Sequence, residues 1–286
     1  MIGLSVARRT ILAGAMALTL NPRAALGAQR QLAWGVDYGA NTSPPVARAF
    51  ELLVLEPDHD RPIAPLRGPM AQLPGYISLG EVDRTRPFVG TLDKAGALKG
   101  TNPNWPAARS ADLRHPAWRA MVLDQLIPGI LAKGFDGIFI DTLDSAEAIE
   151  RADKDVNSGM VQAGIALLAD IRARFPGIVV MLNRAYAPLP AAAPHIDYLL
   201  GEAMSSKWNF AAKRYELTTQ EDWDWQASHL RAARQANPAL VLTTLDYWDP
   251  RDHPAVAGLY QRERASGFNP YVATIALDQL LPEPKA

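Results

Sequence analysis

Cysteine is absent from the 286-residue chain. Thiol catalysis, thiolate-bound zinc and a disulfide scaffold are thereby excluded. An excess of either charge is also missing. With 29 Lys and Arg against 30 Asp and Glu, there is no basic footprint for nucleic acid and no charged tail. Histidine is scarce: His59, His115, His195, His229 and His253 form no His-x-His or His-Glu-x-x-His pair. No Gly-x-Gly-x-x-Gly follows the first strand-like run, which weighs against a dinucleotide fold, and no cofactor or bound metal is expected. Long hydrophobic runs are lacking as well. The run Ile11 to Leu20 is too short to span a bilayer comfortably.

That short run has a clear context. Arg8 and Arg9 precede it and Ala24-Ala-Leu-Gly-Ala28 follows, the layout of a secretory signal peptide. An N-terminal core helix is the weaker reading, because Asn21-Pro22 would break it. Residues 1–27 are therefore expected to be a leader, with the paired arginines hinting at twin-arginine export. Residues 28–286 would form the exported protein, periplasmic or secreted from a bacterium, without a membrane span.

Beyond the leader, short apolar runs alternate with helical patterns. Strands are expected at Leu32 to Asp37, Leu52 to Glu56, Gly75 to Gly80, Gly137 to Asp141, Ile178 to Leu182, Tyr198 to Glu202, Val241 to Asp246 and Tyr271 to Ala276. Continuous apolar runs rather than alternation mark strands covered on both faces. Trp118, Met121, Val122, Leu126 and Ile130 predict a helix kinked at Pro128 and stopped at Gly134. Val161, Ile165, Leu168 and Ile171 predict another, capped by Asn157-Ser158. Gln220 to Gln235 and Pro254 to Ser266 read as two more. Eight such strands with helices between them predict an α/β fold, a single-domain (β/α)8 TIM barrel. The stretch from Glu81 to Pro116 is too long for a simple link; it reads equally as a binding loop or as a surface excursion with its own short helix.

Acidic residues recur at strand ends: Asp37, Glu56, Glu81, Asp141, Glu202 and Asp246. In a barrel those ends gather on the face where active sites are built. Any one acid is more often a helix cap or a salt-bridged loop residue, the reading taken for Glu56 and Asp144. For Asp141, the only polar ending of Gly137-Ile-Phe-Ile-Asp141, chance placement is less convincing, and Glu202 ends its run in the same manner. Tyr38, Tyr76, Asn183, Tyr186, Trp208, Tyr247, Trp248 and Tyr271 fall at the same level. Each aromatic alone is usually core packing, whereas together with paired acids they suggest a carbohydrate groove. Trp223 and Trp225 fit helix packing better than a sugar platform.

Several segments, Val36-Asp-Tyr-Gly-Ala-Asn41, Leu53-Val-Leu-Glu-Pro-Asp-His59, Gly75-Tyr-Ile-Ser-Leu-Gly-Glu81, Asp112-Leu-Arg-His-Pro-Ala-Trp-Arg119 and Gly134-Phe-Asp-Gly-Ile-Phe-Ile-Asp-Thr-Leu-Asp144, resemble the endo-α-1,4-polygalactosaminidase family. This is glycoside hydrolase family 114, with the related family 166 hydrolase domain of the Pel exopolysaccharide protein. The resemblance runs over nearly the whole mature chain and implies a (β/α)8 barrel acting on a galactosamine-containing polysaccharide. It implies Asp141 as nucleophile and Glu202 as acid/base. It also implies Asp37, Glu81, Asn183 and Asp246 around the sugar with Tyr76 as a wall, and the aromatic pattern adds Tyr38, Tyr247 and Tyr271 as expected sugar contacts.

Chemically, one carboxyl must be protonated to serve the leaving oxygen and the other ionised to attack the anomeric carbon or activate water. Sequence leaves retention and inversion open, with retention the expectation. Two other classes stay open at this level. A metal-dependent barrel enzyme could use an oxygen-only site among the acids, although His59 between Asp58 and Asp60 fits a loop hydrogen bond better. A non-catalytic polysaccharide-binding barrel would keep the aromatics and lose an acid.

Overall fold

The computed structural model describes residues 31–102 and 105–284. The leader assigned to residues 1–27 lies outside them. Eight parallel strands form one sheet: β1 (Trp34–Asp37), β2 (Leu52–Leu55), β3 (Pro74–Ser78), β4 (Gly137–Asp141), β5 (Val179–Asn183), β6 (Tyr198–Glu202), β7 (Val241–Tyr247) and β8 (Asn269–Ala273). Each pairs with the next in chain order. Hydrogen bonds bring the first and last together: Trp34 Nε1 donates to the Asn269 carbonyl at 2.8 Å and the Leu32 amide to Asn269 Oδ1 at 2.9 Å. The result is the expected (β/α)8 barrel.

The strands form where the apolar runs are unbroken. Every residue of β1, β2 and β5 is buried, as strands covered by helices on one side and a filled barrel on the other must be. The last strand departs most from expectation, starting at Asn269 rather than Tyr271 and ending at Ala273 rather than Ala276. Asn269 lies two residues before the expected start. Its side chain is satisfied inside the barrel wall, accepting from Leu32 and donating to the Leu242 carbonyl at 2.9 Å.

The helix after the excursion runs from Pro116 to Ala132 in three pieces, with a π segment at Val122–Leu126. Pro128 cannot donate to the carbonyl four residues earlier, and widening that turn absorbs the loss where a plain kink was expected. Gly134, at φ 93°, reverses the chain into β4. The helix Met160–Arg174 is not capped by Asn157-Ser158. It starts at Gly159, and the distant Glu150 carboxylate accepts from the Gly159 and Val161 amides at 3.1 and 2.9 Å. Its buried face is Met160, Gly164, Leu167, Leu168 and Ile171, so Val161 and Ile165 sit at the edge. Gln220–Ala236 and His253–Ala265 are helices close to their expected limits.

The segment after β3 is a small layer of its own. Glu81–Asp83, Leu98–Thr101 and Ala108–Ala111 form an antiparallel sheet, with a helix at Val89–Lys94. A hairpin, Ser206–Asn209 with Arg214–Leu217, follows β6. Both insertions leave the barrel at the C-terminal ends of their strands.

Candidate active site

A cleft of about 1010 Å³ opens at the C-terminal ends of the strands, with Tyr76, Glu81, Asp141, Arg184 and Glu202 among its lining residues. Asp141 ends β4, Asn183 ends β5, Glu202 ends β6 and Tyr247 ends β7. Asn183 Nδ2 donates to Asp141 Oδ1 at 3.0 Å and to Glu202 Oε2 at 2.7 Å. Two oxygens held by one nitrogen are no farther apart than the sum of those bonds, about 5.7 Å. Each carboxylate has a second donor from a flanking strand: Tyr76 gives its hydroxyl to Asp141 Oδ2 at 3.0 Å, and Tyr247 gives its own to Glu202 Oε1 at 2.6 Å.

The backbone turns sharply behind all three central side chains. Thr142, Arg184 and Ala203, which follow Asp141, Asn183 and Glu202, have φ of 60°, 47° and 55°. None is glycine, and each left-handed residue costs about 1–3 kcal/mol. The strand therefore stops at the functional residue and the chain leaves the mouth at once, which keeps the side chain at the cleft floor.

Burial and the charge of Glu202 push the Asp141 carboxyl up, while the bonds from Asn183, the Thr142 amide and Tyr76 oppose the rise. Burial, reinforced by the neighbouring carboxylates, also raises the hydroxyls of Tyr38, Tyr76 and Tyr247, so these phenols stay protonated, and Tyr76 and Tyr247 donate to the carboxylates. Arg184 lies 3.9 Å from Glu202 and 3.8 Å from Asp144. Its buried Nε has no hydrogen-bond partner.

The Tyr-Ile-Ser-Leu-Gly-Glu segment has a local reason for its composition. Ser78 Oγ meets Thr142 Oγ1 at 2.6 Å, and that oxygen also accepts from the Gly80 amide at 3.0 Å. A Cβ on Gly80 would sit 1.9 Å from the Thr142 carbonyl, so only glycine allows this approach. Glu81 then accepts from Asn102 Nδ2 at 2.7 Å and Ser145 Oγ at 2.6 Å. The end of β3, the turn after Asp141 and the insertion are thus tied into one wall.

The sequence-selected residues divide. Tyr38, Tyr76, Glu81, Asp141 and Glu202 line the cleft. Asn183 and Tyr247 bond its carboxylates from behind, and the Tyr38 ring packs edge-on against Tyr76 at 5.1 Å. Three expected sugar contacts stand apart and are corrected here. Asp37 is fully buried and closes a turn, accepting from the Gly39 amide at 2.8 Å and Thr42 Oγ1 at 2.5 Å. Asp246 lies between Leu245 and Tyr247, and by the alternation of strand side chains it faces away from Tyr247. It accepts from the Ser205 and Ser206 amides, both at 2.7 Å. Tyr271 is core, its ring 5.6 Å from that of Trp34 and its hydroxyl accepting from the Leu281 amide.

Arg184 was missed. Its signal was available, since it is the only basic residue directly following a barrel strand. His59 makes a loop contact, its Nε2 2.8 Å from the Tyr38 carbonyl oxygen. Among the described residues no cluster of three or more His, Asp or Glu is arranged to hold a metal.

Comparison with known proteins agrees with this geometry. The model of glycoside-hydrolase family GH114 matches residues 12–285. Among solved structures, the glycoside hydrolase domain of PelA from Pseudomonas aeruginosa is 27% identical, with a TM-score of 0.76 over 88% of this chain and 98% of that one. Ega3 of Aspergillus fumigatus, solved with galactosamine, is 16% identical, with a TM-score of 0.62 over 87% of this chain and 93% of that one; at that identity the likeness is one of fold. No curated protein sequence matches the chain. A family match over nearly the whole length, on a barrel whose mouth holds two carboxylates bridged by one amide, places the chain in glycoside-hydrolase family GH114, and it is a glycosidase.

Proposed function

We propose that the protein cleaves internal α-1,4 linkages of a galactosamine-containing polysaccharide, with Asp141 as nucleophile and Glu202 as acid/base, retaining the anomeric configuration. The observation that carries this reading is the shared Asn183 nitrogen. It limits Asp141 Oδ1 and Glu202 Oε2 to at most about 5.7 Å apart, which favours the roughly 5–5.5 Å spacing of retaining carboxyl pairs over the roughly 6.5–9.5 Å that inversion needs for a water.

Glu202 gives its proton to the leaving glycosidic oxygen as that bond breaks, and Asp141 bonds the anomeric carbon from the opposite face. Glu202, now a carboxylate, takes a proton from water, whose oxygen then displaces Asp141. Burial and Glu202 raise Asp141. A sugar carrying an ammonium group, and the positive charge that develops on its ring, return Asp141 to the ionised form that attacks. Six carboxylates and three cations line the cleft, so its charge suits a substrate with free amines. The galactosamine bound to the fold relative Ega3 supports the same substrate class. Glu81, Tyr38 and Tyr76, which line the cleft, are assigned as sugar contacts in this reading. The leader-like residues 1–27 support export, and among the described residues no helix is long and apolar enough to cross a membrane.

The test uses residues 28–286 and partially deacetylated poly-α-1,4-galactosamine, with products sized by mass spectrometry and their anomeric form followed by NMR. Wild type should release oligosaccharides with the α form appearing first, with or without EDTA. Asp141→Asn and Glu202→Gln should release almost none. Intact polymer with wild type, or release abolished by EDTA, overturns the proposal.

A further inference from the structure

The two tryptophans of the helix Gln220–Ala236 have separate fates. Trp223 is 6% exposed; its Nε1 donates to Glu263 at 2.8 Å, and the Arg231 and Arg262 guanidiniums lie 5.7 and 5.3 Å from its ring. It is the packing residue. Trp225, two positions on, is 53% exposed. Its indole is nevertheless held by other rings: His229, one turn later, lies 4.3 Å away, and Tyr186 meets it edge-on at 5.0 Å and 85°. Tyr186 and His229 are themselves 5.3 Å apart, so the three rings form one cluster.

This cluster adjoins the cleft. Tyr186 lies two residues after Arg184, which lines it. The Tyr186 hydroxyl donates to Gln226 Oε1 at 2.6 Å, and Gln226 Nε2 donates to the carbonyl of Ala203 at 3.2 Å. Ala203 directly follows Glu202. Two hydrogen bonds therefore tie the residue beside Trp225 to the residue beside Glu202, and the indole is fixed to the rim past Arg184.

We propose that the exposed face of Trp225 is a sugar-binding platform that takes one pyranose unit of the polysaccharide outside the cleft. This rests on the substrate reading above. A galacto-configured ring has an apolar face, because its axial O4 leaves the C–H bonds at C3, C4 and C5 together on one side, and such a face covers an indole well. The indole is already immobilised by Tyr186 and His229, so stacking loses little side-chain entropy. A chain running from Glu202 over Arg184 would reach it; a substrate of two or three sugars held in the cleft would not need it.

Trp225→Ala and Trp225→Phe are compared with wild type on galactosamine oligomers and on the long polymer, and by retardation in native gels containing that polymer. Trp225→Ala should raise KM for the polymer roughly five- to tenfold, leaving kcat and the short oligomers unchanged, and lose gel retardation. Trp225→Phe should recover most of both. An unchanged KM and unchanged retardation in Trp225→Ala overturn the platform even where wild type cleaves. If wild type cleaves no such polymer, the substrate reading fails, and the gel still decides the platform: retardation that depends on Trp225 upholds it and retardation that does not removes it.

Discussion

Asn183 donates to Glu202 at 2.7 Å with the same nitrogen that holds Asp141. Its amide is therefore the ruler between the two carboxylates. Removing it leaves two half-buried acids with one donor fewer each, and hydrogen bonds to charged groups are worth about 1.5–3 kcal/mol. Asn183→Ala should lower kcat by roughly 10- to 100-fold with little change in KM. A kcat near wild type would show that the flanking tyrosines alone set the spacing.

Tyr76 and Tyr247 act on different members of the pair, one on Asp141 and one on Glu202. Each Tyr→Phe change should cost roughly tenfold in kcat. The two should differ with leaving group. An activated aryl glycoside needs little protonation, so Tyr247→Phe should be nearly silent on it, whereas Tyr76→Phe should remain slow. Equal losses on both substrates would break the assignment of roles.

The pH dependence has a sign fixed by the neighbouring charge. Glu202 raises the Asp141 carboxyl, so neutralising Glu202 must lower it. In Glu202→Gln, residual hydrolysis of an aryl glycoside should begin at lower pH than in wild type. An onset that stays in place would mean that burial alone governs Asp141.

Behind the site, Asp246 is pushed up to about 7 by burial and by Glu263, against the Ser206 and Ser205 amides and Arg262. Its folded-state value lies above its unfolded one, so its contribution to stability is full at low pH and is lost as pH rises through 7. The difference corresponds to about 4 kcal/mol at most. Asp246→Asn keeps an oxygen for the two amides and cannot ionise. Its Tm should gain on that of wild type between pH 5 and pH 9, read by thermal melts. Parallel curves would show that Asp246 is ionised throughout.

The barrel and the central pair were legible in the chain because both depend on local pattern. Short apolar runs alternating with helical patterns read as strands buried on both faces, and a lone acid at the end of such a run lies at the barrel mouth wherever the run is placed. The positions of Asp141 and Glu202 followed from that pattern, while their roles and the place of Asn183 beside them came from the family resemblance. Which other strand-end groups face the cleft was decided by the tertiary structure. Asp37 and Asp246 have the same sequence signature as Asp141, yet one closes a turn and the other, on the far side of its strand from Tyr247, takes two backbone amides. An acid at a strand end can be satisfied by cleft, turn or neighbouring loop, and the choice depends on partners far away in the chain. The indoles divide the same way: at about 100° per residue Trp223 falls with Ala227 and Leu230 on the buried face and Trp225 on the opposite one, which pattern alone gives, whereas the packing of Tyr186 that fixes Trp225 at the rim belongs to the tertiary structure.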